Sequence, residues 1–493
     1  MTLDIDRRTA HYPDRTAVID DTGDRRWSYA DLDAETEAAA GRLHEADVSA
    51  GDRVVVLARI QPELIALLFG ARRLGATLAP VSHRLGGDTV GVLADRIDPE
   101  LLLFENRFAD IVPDGCDAQR VSAFRERDPV KTPTRRPADV AEPLFLHTGG
   151  TTGVPKVVPI TERQIVWNCI TELAAWGLGA DTVAPILLPL FHTGGWNLLT
   201  LPTLYVGGTV VLQRSFDPGE TLAIVENHGA TKLFGVAAIL DAMADHPDFA
   251  DADLSTLDWV MSGGGPTPEA VAEPYRERGV PFVRGYGLTE GGPNNLYLDP
   301  DRGVRKPESV GRPFPDCEAR IVDADGEQVV QGAVGELQLR GPMTADRYLT
   351  TEDGTFDGDW VSTGDLVRQD EDGDYAVTGR VDNMFVSGGE NVHPEAVESV
   401  LEEHDAVQAA GVVGVPHERW GTVPRAVLMV APGDTDTPSV DADELASFAA
   451  DRLAAYERPH EYVLVDELPR SGPGKIDRDA LRTEDGAATD SDV

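Results

Sequence analysis

Apolar runs of strand length alternate with helix-length amphipathic stretches through the first ~140 residues of the chain, as in "YADLDAETEAAAGRLHEA", "DRVVVLA" and "PELIALLFGARRLGATLAPV". This order is that of βαβ units, and it predicts a parallel sheet covered by helices. A polar linker, "RERDPVKTPTRRPADVAEP" (residues 125–143), separates this region from a second of the same kind. The second region holds "TVAPILLPLFH", "GGTVVLQ", "TKLFGV" and "LDWVMSGG". From about residue 300 the pattern changes to short β segments with turns, "EARIVDADGEQV" and "VGELQLRGP", which predict a small β-barrel or curled sheet. A last region opens on the helix start "HPEAVESVLEEH". Pro394 sits at an early helical position, Glu395 lies in the first turn, and Val397, Val400 and Leu401 line one face. The expected fold class is α/β: a large N-terminal domain over 1–380, made of two αβα-type subdomains plus a small β-barrel, then a smaller α+β domain over 381–482. The acidic tail 483–493 is expected to be disordered.

Composition narrows the function. The chain has 493 residues and a formal net charge of −42. A field of that sign and size argues against binding nucleic acid or an anionic membrane through the general surface. No apolar run reaches the length of a membrane span, and "MTLDIDRRTA" has no signal-peptide core, so a cytoplasmic protein is expected. Cys116, Cys169 and Cys317 are far apart and form no metal-binding pair, so reduced thiols are expected. Of the 43 basic residues only five are Lys: Lys131, Lys156, Lys232, Lys306 and Lys475. An acidic, Lys-poor chain is expected to work in high salt, where self-repulsion is screened.

Two of those five lysines close conspicuous loops. "LFLHTGGTTGVPK" (residues 144–156) runs from an apolar segment into glycines and threonines and ends on Lys156. Such a loop can turn backbone N–H groups and hydroxyls onto phosphate oxygens. It is not a Walker A loop, since Pro155 precedes the Lys and no Ser or Thr follows it. With the motifs that follow, "HTGGTTGVPK" resembles the phosphate loop of the adenylate-forming superfamily of acyl-CoA synthetases, adenylation domains and luciferases. "PLFHTGG" (189–195) resembles the segment carrying its acyl-site histidine, and "GYGLTE" (285–290) the segment holding AMP and magnesium. "STGD" (362–365) resembles the ribose-binding segment, "GRVDNMFVSGGENVHPEAVE" (379–398) the interdomain hinge and the loop after it, and "PRSGPGKIDR" (469–478) the terminal catalytic-lysine motif. The chain departs from the family with Gly149 in place of the usual Ser and with Val157 where Gly is common.

The resemblance implies an acid:CoA ligase using ATP, Mg²⁺ and coenzyme A. A carboxylate attacks the α-phosphate of ATP, and the CoA thiol then displaces AMP from the acyl-AMP. Thr148, Gly149, Gly150, Thr151, Thr152, Gly153 and Lys156 would hold the phosphates, with Thr151 and Lys475 acting at the transferring phosphate. Glu290, beside Thr289, would hold Mg²⁺, since a carboxylate with phosphate oxygens suits that hard ion. Gly264, Gly285, Tyr286 and Gly287 would face the adenine and acyl groups, and Asp365 and Arg380 the ribose. His192, Trp196, Asn197 and Val236, with Gly264 and Gly287, would line the acyl pocket; His192 would be a gate or contact rather than a base. Gly388 and Gly389 would border the pantetheine tunnel. Trp420, Tyr456 and Arg458 would meet the nucleotide end of CoA. Asp382 would be the pivot of a mobile C-terminal domain. The acid is expected to be an aryl acid such as a benzoate or 2-succinylbenzoate, or a medium- or long-chain fatty acid. A stand-alone enzyme loading a carrier protein, and a non-catalytic nucleotide-binding protein, are the alternatives. A homodimer is left open.

Overall fold

The computed structural model describes residues 3, 5–21, 25–130, 142–148, 155–350, 354–387, 390–417, 420–430, 440–450, 452–472, 475–483 and 487–490. The chain divides into two compact units, one of residues 1–319 and 339–362, the other of 320–338 and 363–493.

The first unit is built on open, largely parallel sheets. One runs in the order Ala118–Arg120, Leu101–Phe104, Arg53–Leu57, Thr77–Pro80, Leu144–His147, Val157–Ile160, parallel throughout except for its last pair. Val54 to Leu57 are all buried, as strands covered on both faces require. Their helices are locally well specified. Helix Pro62–Leu74 starts on a proline and ends at Gly75, whose φ of 84° only glycine adopts at little cost. Helices Tyr29–Glu45 and Glu162–Trp176 each begin with a capping box, Ser28 with Asp31 and Thr161 with Gln164.

A second sheet joins Lys232–Gly235, Trp259–Ser262 and Phe282–Tyr286 in parallel, followed by the antiparallel strands Leu296–Leu298 and Arg312–Pro313. The third corrects the expected segmentation. Arg25–Ser28 and Thr16–Asp20, from the start of the chain, pair with Thr209–Leu212 and then Val183–Ile186. Likewise Leu144–His147, beyond the polar linker, returns to pair with Thr77–Pro80. The linker is therefore not a subdomain boundary, because hydrogen bonding closes the sheets across it. One further departure follows the "LLPLFH" run: Gly194–Thr200 is a π-helix. Gly195 makes this possible, since a Cβ there would stand 2.3 Å from the Pro189 carbonyl oxygen.

In the second unit, Asp365–Gln369 pairs antiparallel with Tyr375–Arg380. Beyond it, Val407–His417, Gly421–Val430 and Glu461–Val465 form a sheet with helices Pro394–Leu401 and Ala442–Ala450. Val397 and Leu401 are buried in its core, and Val400 packs against it. Ala487–Asp490 pairs antiparallel with Glu461–Val465. An open sheet edge offers backbone partners to any extended segment, whatever its side chains.

Candidate active site

The parallel strands of the first unit deliver the predicted residues at their C-terminal ends, where open α/β sheets place their ligands. His147 ends Leu144–His147, Val236 follows Lys232–Gly235, Gly263 and Gly264 follow Trp259–Ser262, and Tyr286 ends Phe282–Tyr286. Thr148 and Lys156 form the neck of the Gly-Thr loop. The Thr148 N–H donates to the Lys156 carbonyl at 2.8 Å, and the Lys156 N–H donates to Thr148 Oγ1 at 3.4 Å. Gly149, Gly150, Thr151, Thr152 and Gly153 lie outside the described residues.

Glu290 is nearly buried. Tyr348 Oη donates to Glu290 Oε1 at 2.7 Å, and no ion pair reaches Glu290 among the described residues. Lys156 Nζ stands 4.8 Å from the Tyr348 ring centroid. One phenol thus touches both the phosphate-loop lysine and the expected magnesium ligand. A carboxylate this buried, with one neutral donor, suits an incoming divalent cation. Gly287 admits no side chain, since a Cβ would fall 1.4 Å from the Pro293 carbonyl oxygen. Gly264, at φ 80°, lies against Val236, 3.7 Å from where its Cβ would be.

The residues expected at the acyl group include an aromatic cluster. The rings of Phe191 and His192 meet edge-on at 4.5 Å, and Phe191 stacks on His147 at 6.0 Å. Burial, with His147 and Arg84 nearby, lowers the His192 pKa to about 4; burial does the same to His147. His147 Nε2 accepts from the Ser82 N–H at 3.0 Å. Both imidazoles are therefore neutral at pH 7. Trp196 is fully buried and Asn197 nearly so.

Beneath these residues lies a group that the motifs do not reveal. Glu172 is completely buried. Its Oε1 accepts from Asn168 Nδ2 at 3.1 Å and from Asn294 Nδ2. Asn168 also donates to the Asn197 carbonyl at 2.5 Å. Glu172 thereby connects the π-helix to the segment just after Glu290. Burial pushes its carboxyl well above the usual value of 4.5. The stability it contributes is full below its unfolded pKa and is lost as pH rises through the raised folded one. Glu172→Gln keeps the accepting oxygen and has no proton to take up. The variant is expected to melt a few degrees higher than the parent, with a larger gain at pH 8 than at pH 5. Thermal melts in molar KCl would test this, and an equal gain at both pH values would contradict a raised Glu172 pKa.

In the second unit, Arg380 and Asp365 face each other across paired strands, with Arg380 Nη1 2.6 Å from Asp365 Oδ1. Gly364 leaves room for that guanidinium, since a Cβ there would stand 2.9 Å from Arg380 Nη2. Asp382 is exposed, 3.8 Å from Arg380. The rings of His417 and His460 meet at 5.3 Å. Trp420 and Tyr456 are exposed. Arg458 donates to the Ala450 carbonyl at 2.8 Å and the Leu453 carbonyl at 3.1 Å, so it also closes the end of a helix. Gly388 and Gly389 lie outside the described residues, as does the side chain of Lys475, whose backbone pairs with Gly472.

Residues 5–349 match the AMP-binding enzyme family, and 396–475 match the C-terminal domain of AMP-binding enzymes. The chain is 36% identical to the feruloyl-CoA synthase of an Amycolatopsis species, over 97% of this chain and 98% of that protein. Its fold is similar to that of the o-succinylbenzoate CoA synthetase from Bacillus subtilis in complex with its acyl-adenylate intermediate, with a TM-score of 0.90, 27% identity and 99% of each chain covered. The same enzyme in complex with ATP and a magnesium ion gives a TM-score of 0.88 at 28% identity, covering 98% of this chain and 99% of that one. With both of its regions matched and its relatives aligned almost end to end, the chain belongs to the AMP-binding enzyme family, that of the adenylate-forming acyl- and aryl-CoA ligases.

Proposed function

We propose that this protein is an AMP-forming acid:CoA ligase acting on an aryl acid, with a medium- or long-chain fatty acid as the next candidate. The observation that carries the reading is the nearly buried Glu290, held by Tyr348 beside Lys156 at the neck of the Gly-Thr loop. In the first half-reaction a substrate carboxylate oxygen bonds to the α-phosphorus of ATP as the bond to pyrophosphate breaks. In the second, the CoA sulfur bonds to the acyl carbon as the bond to AMP breaks. The substrate carboxylate is already ionised at neutral pH, so no base is needed, in keeping with a neutral His192.

Thr148, Thr151 and Lys156 bind phosphate oxygens, Glu290 holds Mg²⁺, and Lys475 faces the transferring phosphate. Bound Mg²⁺ neutralises phosphate charge. Asp365 and Arg380 take the ribose. Domain closure pivots at Asp382, between a 1–380 adenylation domain and a C-terminal domain that brings Gly388, Gly389 and Trp420 to CoA. The aromatic cluster of Phe191, His192 and His147 supports a flat acid. The charge of −42 supports work in a high-salt cytoplasm.

The test is a panel of benzoates, hydroxycinnamates, 2-succinylbenzoate and fatty acids, assayed in molar KCl for ATP–pyrophosphate exchange and for thioester. Aryl acids are expected to lead by tenfold or more in kcat/KM, the scale a shaped apolar pocket supplies. Exchange without thioester would make the protein a carrier-loading enzyme, and no exchange with any acid would sink the proposal.

A further inference from the structure

The segment 341–349 is tied to three parts of the first unit. The Ala345 N–H donates to the Glu290 carbonyl at 2.7 Å, and the Leu349 N–H donates to the Val157 carbonyl at 2.8 Å. Gln164 Nε2, in the first turn of helix Glu162–Trp176, donates to the Thr344 carbonyl at 2.7 Å. Gly292 lets the segment approach, since a Cβ there would stand 2.2 Å from the Met343 carbonyl oxygen. Tyr348 is packed between these attachments. It is 6% exposed, and its ring meets Phe356 edge-on at 5.0 Å. Its two ends do different work. The ring face lies under Lys156 Nζ, and the hydroxyl aims one hydrogen bond at Glu290.

We infer that Tyr348 is a positioning residue for nucleotide binding: its hydroxyl orients the Glu290 carboxylate toward the metal, while its ring supports Lys156 against the phosphates. The inference rests on the ligase reading, in which Glu290 holds magnesium and Lys156 holds phosphate. With one Glu290 oxygen engaged by the phenol, the other would be left for the cation, and the hydrogen bond would limit the carboxylate's rotation to other donors. Because ring and hydroxyl serve different partners, their effects separate. Losing the hydroxyl alone should affect only the magnesium-dependent part of binding. Losing the ring should affect both parts.

The experiment is calorimetric titration of the full chain in molar KCl with ATP, with and without magnesium. For Tyr348→Phe, the Kd for ATP with magnesium should rise about tenfold, the scale of one lost bond to a charged group. The Kd for metal-free ATP should stay within about twofold, a difference small beside the lost bond. Tyr348→Leu should weaken both. In a Glu290→Gln background, Tyr348→Phe should have no further effect on either titration, since the hydroxyl acts through that carboxylate.

A Tyr348→Phe variant that binds both forms as the parent does, while Glu290→Gln loses the magnesium effect, would overturn the role of Tyr348 and leave the ligase reading standing. Equal weakening of both forms by Tyr348→Phe, or an undiminished effect in the Glu290→Gln background, would likewise overturn it. A Glu290→Gln chain that keeps its full magnesium effect would remove the metal assignment itself.

Discussion

Lys475→Ala is expected to lose acyl-AMP formation by ~10²–10³-fold or more while converting supplied acyl-AMP and CoA to thioester almost as the parent does. Removing one charge partner of a transition state costs on that scale. The surroundings make a folding defect an improbable source of the loss. Asp477 Oδ1 accepts from the Ala480 N–H at 3.1 Å, starting the short helix Arg478–Leu481. Arg478 is then clamped to Glu398 and Glu395, each at 3.0 Å, and to the Val412 carbonyl at 2.6 Å. These anchors lie outside the lysine, so its truncation leaves them in place. Lys475→Arg is expected to recover little, because a planar guanidinium cannot stand where a compact ammonium meets a phosphate. ATP–pyrophosphate exchange reads the first half-reaction, and thioester release from supplied acyl-AMP reads the second. Equal loss in both would show that Lys475 is structural or shared between the two steps.

Transfer from molar KCl to ~10 mM ionic strength is expected to abolish activity and to lower the melting temperature by on the order of 10 °C. The Debye length grows from about 3 Å to about 30 Å over that change, so charges across the whole surface begin to repel. The chain carries 85 acidic residues against 43 Lys and Arg. Several of those cations already serve two acids at once: Arg25 meets Asp20 at 2.7 Å and Glu63 at 2.5 Å. Elsewhere Glu105 draws in two cations, Arg59 at 2.6 Å and Arg214 at 3.1 Å. Such local pairs persist at low salt while the acidic excess is unscreened. Several kcal/mol of self-repulsion, at roughly 2–4 °C per kcal/mol for a large domain, accounts for the size of the shift. Melting curves and thioester assays across a KCl series would measure it; curves that coincide at both ends of the series would refute the high-salt reading.

What the sequence determined about this protein is what acts over short range. The capping boxes at Ser28 and Thr161, the proline start of helix Pro394–Leu401 and the glycines after each apolar run set local structure. The motifs likewise located His192, Gly264 and Glu290 in loops that follow apolar strands, and Tyr286 at a strand's end, since each such segment carries its own residue chemistry. Only the tertiary structure decided the pairing of Thr16–Asp20 with Thr209–Leu212, and the return of Leu144–His147 to Thr77–Pro80 across the polar linker. Parallel strands are joined by crossovers whose length leaves no local signature of their partner. The hydrogen bond from Tyr348 to Glu290 is non-local in the same way. The raised pKa of Glu172 and the lowered pKa of His192 are further still from the sequence. Desolvation shifts their pKa values, and desolvation is a property of everything packed around a side chain rather than of its neighbours in the chain.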